Sequence, residues 1–165
     1  MTFDKALIEA AEAALAACRR AGLRIATAES CTGGLIAACL TEIPGASDVV
    51  ECGFVTYSNE AKTELLGVPA ALIERHGAVS EQVARAMVEG ALGRSRAGLA
   101  VAVTGIAGPG GATASKPVGL VHMGTARRGG AVTHQRLVFP GSRETIRRAA
   151  VAVALRAIVE QAGSM

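Results

Sequence analysis

The sequence predicts a single three-layer α/β/α domain with a mixed, mostly parallel sheet, extending over residues 1–165. Helical and strand-like segments alternate through the first hundred residues, two strand-like segments follow one another late in the chain, and residues 98–104 form a continuous apolar run. Alternating helices and strands are typical of parallel sheets covered by helices on both faces. A short apolar run without polar interruptions indicates a central strand that is buried on both faces.

Each predicted element has its own local signal. The first helix has apolar residues at helical spacing and ends at Gly22, and Ser80 and Ser142 are expected to cap two later helices. The turn signal at residues 127–130 predicts a hairpin. The predicted helices are residues 3–21, a segment from the Ser30 turn to about 41, 59–66, a short helix after Pro69 that ends at 76–77, 80 to about 94, and 142 to about 161. The predicted strands are residues 23–27, 49–56, 98–104, 118–126 and 131–139, and the predicted loops are 44–47 and 105–116.

The composition excludes several classes of protein. Half of the residues are hydrophobic but only four are aromatic, so the core is expected to consist of small aliphatic side chains. No apolar run is long enough to span a bilayer, and the first twenty residues have the pattern of an amphipathic helix, which predicts a cytoplasmic protein with no membrane partner. The four cysteines form no CxxC pair, so we expect neither a metal site nor a disulfide framework.

The net charge of +3 conceals an asymmetry along the chain. Residues 1–100 carry nine basic and twelve acidic side chains, whereas residues 101–165 carry eight basic and two acidic ones. A basic C-terminal portion favours a phosphorylated ligand. Because Trp is absent and Lys and Arg form no run longer than a pair, we expect a small phosphorylated molecule as partner and no nucleic acid. An Ala-rich surface helix is compatible with a homo-oligomer.

The segment Thr27-Ala-Glu-Ser-Cys-Thr-Gly-Gly34 joins a predicted strand to a predicted helix. The first N–H groups of a helix are unpaired and carry partial positive charge, so they can hold an anion or the oxyanion of a tetrahedral intermediate. Ser30 is either a helix cap, which is the commoner role of serine at this position, or a nucleophile. Cys31 is the alternative nucleophile, because a thiol at a helix N-terminus has a lowered pKa.

A serine nucleophile needs a base, and the three histidines suggest no Ser-His-Asp triad. A desolvated lysine can lose its proton near neutral pH and act as that base. Tyr57 ends a predicted strand and Lys62 lies in the first turn of the next helix. If the strand ends share one edge of the sheet, then Ser30, Tyr57 and Lys62 converge there. Otherwise Lys62 is a solvated helix residue and Tyr57 a half-buried edge residue.

A glycine-rich loop, Thr104-Gly-Ile-Ala-Gly-Pro-Gly-Gly111, follows the predicted central strand. Its exposed backbone N–H groups resemble those of phosphate-binding loops, although it fits neither the Walker A nor the GxGxxG pattern. A flexible connection is the alternative interpretation. Arg143 begins the last helix, with Arg147 one turn later and facing the same way. An arginine beside a helix N-terminus suits a phosphate monoester, and a solvated helix end is again the alternative.

Five motifs occur in an order that resembles the CinA C-terminal domain family over nearly the whole chain. They are AESCTGG (28–34), GFVTYSNEAK (53–62), HGAVSE (76–81), TGIAGPGG (104–111) and KPVG (116–119). The family includes the nicotinamide-nucleotide amidohydrolase PncC. The resemblance therefore implies hydrolysis of nicotinamide mononucleotide to nicotinate mononucleotide and ammonia, in pyridine nucleotide recycling and without a cofactor. It also implies the stand-alone form that lacks an additional N-terminal domain. Ala112 departs from the family pattern, which often has glycine there.

The resemblance also implies roles for individual residues. Ser30 matches the nucleophile, Tyr57 and Lys62 its activating partners, Ser47 a proton relay, and Arg143 a substrate-binding residue. In the resulting mechanism Lys62 removes the Ser30 proton directly or through Tyr57, and Ser30 attacks the carboxamide carbon. The expected oxyanion donors are the N–H groups near Thr32 and Gly33, and the expected substrate-binding residues are Thr104, Gly105, Gly108 and Arg143. Two other readings stay open: a nucleotide-binding module without catalysis, and an amidase acting on another small carboxamide.

Overall fold

This computed structural model describes residues 3–164. They form a five-stranded sheet with helices on both faces. The predicted three-layer fold class is confirmed. Met1, Thr2 and Met165, which belong to the predicted domain, lie outside the described residues. The strands are β1 (Ile25–Glu29), β2 (Val50–Val55), β3 (Leu99–Gly105), β4 (Leu120–Arg127) and β5 (Thr133–Val138). The helices are α1 (Lys5–Ala21), α2 (Leu35–Thr41), α3 (Asn59–Leu66), α4 (Ala70–His76), α5 (Glu81–Gly93) and α6 (Arg143–Gly163), with a 3-10 turn at Ala46–Asp48.

The strand order is β2-β1-β3-β4-β5. β1 pairs in parallel with both β2 and β3, whereas β4 is antiparallel to β3 and to β5. Four strands therefore run in one direction and β4 runs in the other. The carboxyl ends of β1, β2 and β3 meet at one edge of the sheet, which we call the carboxyl edge. The chain passes from β1 outward to β2 and then returns to the other side of β1 as β3, so a topological switch point lies between β1 and β3. Ligands bind preferentially at such a point in α/β folds.

The two faces of the central strands carry side chains of different size. Ile25, Leu99, Val101 and Val103 pack with α1, α2 and α6, whereas the alternate residues of β1 and β3 are alanines that pack with α5. This follows from the period of two along a strand. Because alanine side chains are small, α5 lies close to this face of the sheet. At Gly124 of β4 an added Cβ would lie 3.2 Å from a backbone oxygen of α5.

The predicted elements are confirmed, with shifted bounds at several ends. α3 spans the predicted residues, and Ser80 and Ser142 accept hydrogen bonds from backbone N–H groups as N-caps. α2 begins only at Leu35, because Gly33 and Gly34 have φ angles of +58° and +101° and cannot continue a right-handed helix. None of the described helices combines the length and the apolar character that crossing a membrane requires.

Candidate active site

A cleft of about 260 Å³ opens at the carboxyl edge. Its walls are the turn after β1, the turn after β2, the loop after β3 and the start of α6. α6 reaches the cleft because β5 also ends at this edge. The predicted site residues that line the cleft are Ser30, Tyr57, Lys62, Thr104, Gly105, Gly108 and Arg143.

Lys62 lies at the floor of the cleft, with only 1% of its surface exposed. Its Nζ is 2.9 Å from Ser30 Oγ, 2.8 Å from the carbonyl oxygen of Thr56 and 3.5 Å from that of Ser58. Among residues 3–164 it forms no ion pair with a carboxylate. Ser58 also caps α3, so the start of this helix is fixed to the end of β2. Lys62 is therefore a buried amine held against a serine hydroxyl.

Burial lowers the pKa of Lys62, because a charged ammonium is poorly solvated in the protein interior. The three contacts suit both protonation states of the amine. As an ammonium, Lys62 donates one N–H to each of the three oxygens. As a neutral amine, it donates two N–H groups to the carbonyl oxygens of Thr56 and Ser58 and accepts the hydroxyl proton of Ser30 on its lone pair. The arrangement can therefore carry a proton back and forth between Ser30 and Lys62 without breaking its other hydrogen bonds.

Tyr57 and Arg143 face each other across the mouth of the cleft. Arg143 Nη2 donates to the Tyr57 hydroxyl at 2.9 Å, and its Nη1 donates to the carbonyl oxygen of Gly108 at the same distance. Tyr57 is 61% exposed, and its hydroxyl contacts neither Ser30 nor Lys62 in the structure. The direct proton path from Ser30 to Lys62 is therefore formed, whereas the path through Tyr57 is not.

The glycine loop after β3 is anchored at both ends. The Thr104 hydroxyl donates to the carbonyl oxygen of Ala78 at 2.8 Å, and Ile106 exchanges backbone hydrogen bonds with the start of β4. Gly105 has no room for a side chain, since an added Cβ would lie 2.8 Å from the Leu120 carbonyl oxygen. Of the described residues that line the cleft, the loop amides at positions 107, 108, 110 and 111 donate to no backbone oxygen. These N–H groups are available to an anion.

The two predicted oxyanion donors do not face the cleft. The Gly33 amide donates to the carbonyl oxygen of Ser30 at 2.9 Å, and Thr32 is completely buried and does not line the cleft. The prediction assumed that α2 begins at Gly33, but the positive φ angles there delay the helix. Cys31 does line the cleft, and in the described part of the chain its amide donates to no carbonyl oxygen. In α/β-hydrolases an oxyanion donor is the amide of the residue after the nucleophile.

Cys31 itself does not have the environment of a nucleophile. Burial raises the pKa of its thiol to about 11. This is the opposite of the lowered pKa expected for a thiol at a helix start, because three residues lie between Cys31 and the first residue of α2. Near neutral pH the thiol is protonated and therefore weakly nucleophilic.

Ser47 lies at the opposite edge of the sheet from Ser30. It precedes β2 and is exposed, whereas Ser30 follows β1, and the two strands are parallel. At about 3.3 Å per residue, a strand of five residues separates the two edges by about 17 Å. Ser47 is therefore not part of the candidate site, and the proton relay predicted for it is not formed within the chain.

The family model of the CinA C-terminal domain matches residues 7–162. The chain belongs to the CinA C-terminal domain family. A CinA-like protein of Akkermansia muciniphila is 57% identical over 126 residues, which are 76% of this chain and 30% of that protein. The CinA-like protein of Mycolicibacterium vanbaalenii is 59% identical over 135 residues, 82% of this chain and 32% of its own. The chain thus spans about a third of the length of these curated relatives.

Two solved structures share the fold of this CinA domain. The competence/damage inducible protein CihA from Agrobacterium tumefaciens is 50% identical, with a TM-score of 0.94 and 98% coverage of both chains. The competence damage-inducible protein A (ComA) from Klebsiella pneumoniae subsp. pneumoniae is 37% identical, with a TM-score of 0.90, over 94% of this chain and 96% of that one.

Sequence reasoning missed the part that Glu29 plays in this CinA domain. Its carboxylate is completely buried and accepts hydrogen bonds from the Thr32 hydroxyl at 2.7 Å and from the amides of Ile36 and Ala37 at 2.8 and 3.1 Å. It therefore caps α2 from the end of β1 and holds the Ser30 turn between them. The available signal was the single charged residue of the segment 27–34, which lies directly before Ser30.

Sequence reasoning also overlooked Asn59 and misplaced Arg147. Asn59, the first residue of α3, lines the cleft three residues before Lys62. Arg147 was expected to face the same way as Arg143, but it contacts the Ser30 turn instead of lining the cleft. Among residues 3–164, no group of three or more His, Cys, Asp or Glu side chains is placed to hold a metal ion.

Proposed function

We propose that this CinA domain hydrolyses nicotinamide mononucleotide to nicotinate mononucleotide and ammonia, in pyridine nucleotide recycling, through an acyl-enzyme on Ser30. The observation that carries the proposal is the buried amine of Lys62 at 2.9 Å from Ser30 Oγ, which forms no ion pair with a carboxylate of residues 3–164. A serine activated in this way performs acyl transfer, the reaction class to which amide hydrolysis belongs.

In the first step neutral Lys62 takes the hydroxyl proton as Ser30 Oγ attacks the carboxamide carbon. The carbonyl oxygen becomes negatively charged and is held by the amide of Cys31, the residue that follows the nucleophile and lines the cleft. An amide placed in this way contributes roughly 3 kcal/mol to stabilisation of the transition state. Lys62, now an ammonium, then gives its proton to the amide nitrogen, the C–N bond breaks, and ammonia leaves.

In the second step water hydrolyses the acyl-enzyme. Lys62 is neutral again after the loss of ammonia, so it takes a proton from the attacking water and returns it to Ser30 Oγ when the ester bond breaks. The overall change consumes one water and releases one ammonia and one carboxylic acid. The proton leaves Ser30 and returns to it through the 2.9 Å contact with Lys62, and Lys62 also exchanges the protons of the leaving nitrogen and of the attacking water.

The features of the cleft support a small anionic substrate. Its volume of about 260 Å³ is near the lower end of small-molecule sites. Arg143 and the loop amides at positions 107, 108, 110 and 111 offer partners for the 5′-phosphate. The exposed ring of Tyr57 stands at the mouth, where it can stack on a positively charged pyridinium ring.

The test is ammonia release from nicotinamide mononucleotide, from its riboside and from free nicotinamide. We expect turnover of the mononucleotide to be favoured, to vanish in Ser30→Ala and to be unchanged in the control Ser47→Ala. Binding without ammonia release would instead identify a nucleotide-binding module. Equal rates with and without the phosphate would point to an amidase for another carboxamide. Normal deamidation by Ser30→Ala would refute the acyl-enzyme.

A further inference from the structure

Arg147 of α6 contacts the nucleophile turn from outside the cleft. Its Nε donates to the carbonyl oxygen of Cys31 at 3.1 Å and its Nη2 to that of Thr32 at 3.2 Å. The guanidinium lies close against the turn, since a Cβ added at Gly33 would be 3.3 Å from Nη2. One cation thus holds two successive carbonyl groups of a turn that contains no regular secondary structure.

These contacts fix the orientation of the peptide planes around Cys31. The plane between Ser30 and Cys31 is held by the Gly33 amide, which donates to the Ser30 carbonyl oxygen. The plane between Cys31 and Thr32 is held by Arg147. Peptide groups are planar, so the Cys31 N–H turns with the Ser30 carbonyl, which the Gly33 amide holds. The Gly33 amide in turn shares its peptide plane with the Thr32 carbonyl, to which Arg147 Nη2 donates, so Arg147 acts on the Cys31 N–H through these two planes. That N–H belongs to a residue that lines the cleft next to the nucleophile, and among residues 3–164 it donates to no backbone oxygen.

We propose that Arg147 is a positioning residue that keeps the Cys31 amide directed at the oxyanion. The inference rests on the proposed acyl-transfer function. Arg147 acts through the backbone of the turn and touches no reacting atom. The hydrogen bonds polarise the peptide groups of the turn, and the guanidinium adds a fixed positive charge behind the cleft.

The electrostatics of the turn agree with this role. Arg147 and Lys62 lower the pKa of the Cys31 thiol, against the larger effect of burial and against the opposing charge of Glu29. The charge of Arg147 is therefore felt at the cleft floor, where the oxyanion forms. Arg147 has no acidic partner of its own among the described side chains, so its charge is not neutralised locally.

The test compares Arg147→Met and Arg147→Lys with the matched control Arg148→Met. Arg148 is the next residue of α6, and its side chain pairs only with the exposed Glu144. For deamidation of nicotinamide mononucleotide, we expect Arg147→Met to lower kcat by about tenfold or more while KM and the Kd of nicotinate mononucleotide stay unchanged. Arg147→Lys should be intermediate, because an ammonium can reach one of the two carbonyls. Arg148→Met should match the wild type.

A kcat of Arg147→Met equal to that of Arg148→Met, or a raised KM with unchanged kcat, would overturn the proposal. A second readout does not depend on the identity of the substrate. It is the rate at which a sulfonyl fluoride labels Ser30, measured by mass spectrometry. Slower labelling in Arg147→Met, partly restored in Arg147→Lys, supports positioning even if the wild type releases no ammonia. Equal labelling rates in all variants would refute it. Thermal unfolding shows whether each variant is folded. If Arg147→Met is not folded, the comparison of Arg147→Lys with the wild type decides.

Discussion

Replacing Lys62 with Met tests the candidate base and keeps an unbranched side chain of similar length. A general base contributes roughly 10²–10⁴ in rate, so we expect kcat for deamidation to fall by about that factor. In the wild type, activity should rise with pH as Lys62 loses its proton, at a pH below 10.5, the ordinary pKa of a lysine, because burial lowers the pKa of Lys62. The residual activity of Lys62→Met should lack this rise.

The same substitution should change how stability depends on pH. Because the pKa of Lys62 is lower in the folded state, the unfolded chain binds more protons at every pH between the folded pKa and 10.5. The free energy of unfolding therefore increases with pH across this window, and the penalty for burying the ammonium is complete below it. Each tenfold weakening of proton binding corresponds to about 1.4 kcal/mol. Lys62→Met should lose this dependence.

The assay is urea unfolding at several pH values between 6.5 and 9.0. Below this range the lowered pKa of His122 contributes, and above it the thiols contribute, since burial raises the pKa of Cys31 to about 11 from 9.0. Lys5→Met is the control, because that side chain is 89% exposed. If Lys62→Met gains stability with pH as steeply as the wild type and Lys5→Met, the buried amine is not the group that titrates, and the reasoning fails.

Three further substitutions and treatments test other parts of the structure. The raised pKa of Cys31 predicts that iodoacetamide at pH 7.5 leaves activity intact, and inactivation as fast as the alkylation of a free thiol would contradict this. Glu29→Leu leaves two amides of α2 and a buried hydroxyl without an acceptor, so urea unfolding should show a loss of about 2–4 kcal/mol; a loss below 1 kcal/mol would count against the capping role. Gly90→Ala would place a Cβ 1.9 Å from the Leu66 carbonyl oxygen, so we expect a loss of about 3 kcal/mol or more, and a variant with wild-type thermal stability would show that α3 can move away from α5.

The elements of the fold could be predicted because each carries its own local signal. Gly22 ends α1 in a left-handed conformation, and Ser80 and Ser142 cap their helices, as expected from residue type alone. The convergence of Ser30 and Lys62 could be predicted only on the condition that the strand ends share one edge of the sheet. It depended on β1 and β2 being parallel neighbours, which is a tertiary property that no local pattern expresses.

The predictions that failed depended on backbone geometry at a few residues. Gly33 was expected to offer its amide to an oxyanion, but that amide closes a turn onto the Ser30 carbonyl oxygen before α2 begins. Ser47 was included by resemblance, and its position at the far edge follows from the direction of β2, which begins three residues later. Glu29 was missed because a carboxylate is not expected to be buried unless it accepts hydrogen bonds. Its donors, two amides of α2, become apparent only in the structure.

The alternation of side chains at the end of β1 explains why Lys62 can act as a base at all. Successive residues of a strand point to opposite faces, so Glu29 and Ser30 diverge: Glu29 reaches the start of α2, and Ser30 contacts Lys62 of α3 on the other face. A carboxylate next to the nucleophile would otherwise pair with the amine, raise its pKa and keep it protonated. Because α2 takes up the negative charge of Glu29, the amine meets only neutral oxygens, and burial acts on its pKa unopposed by an ion pair. The acidic residue thus supports the site by facing away from it.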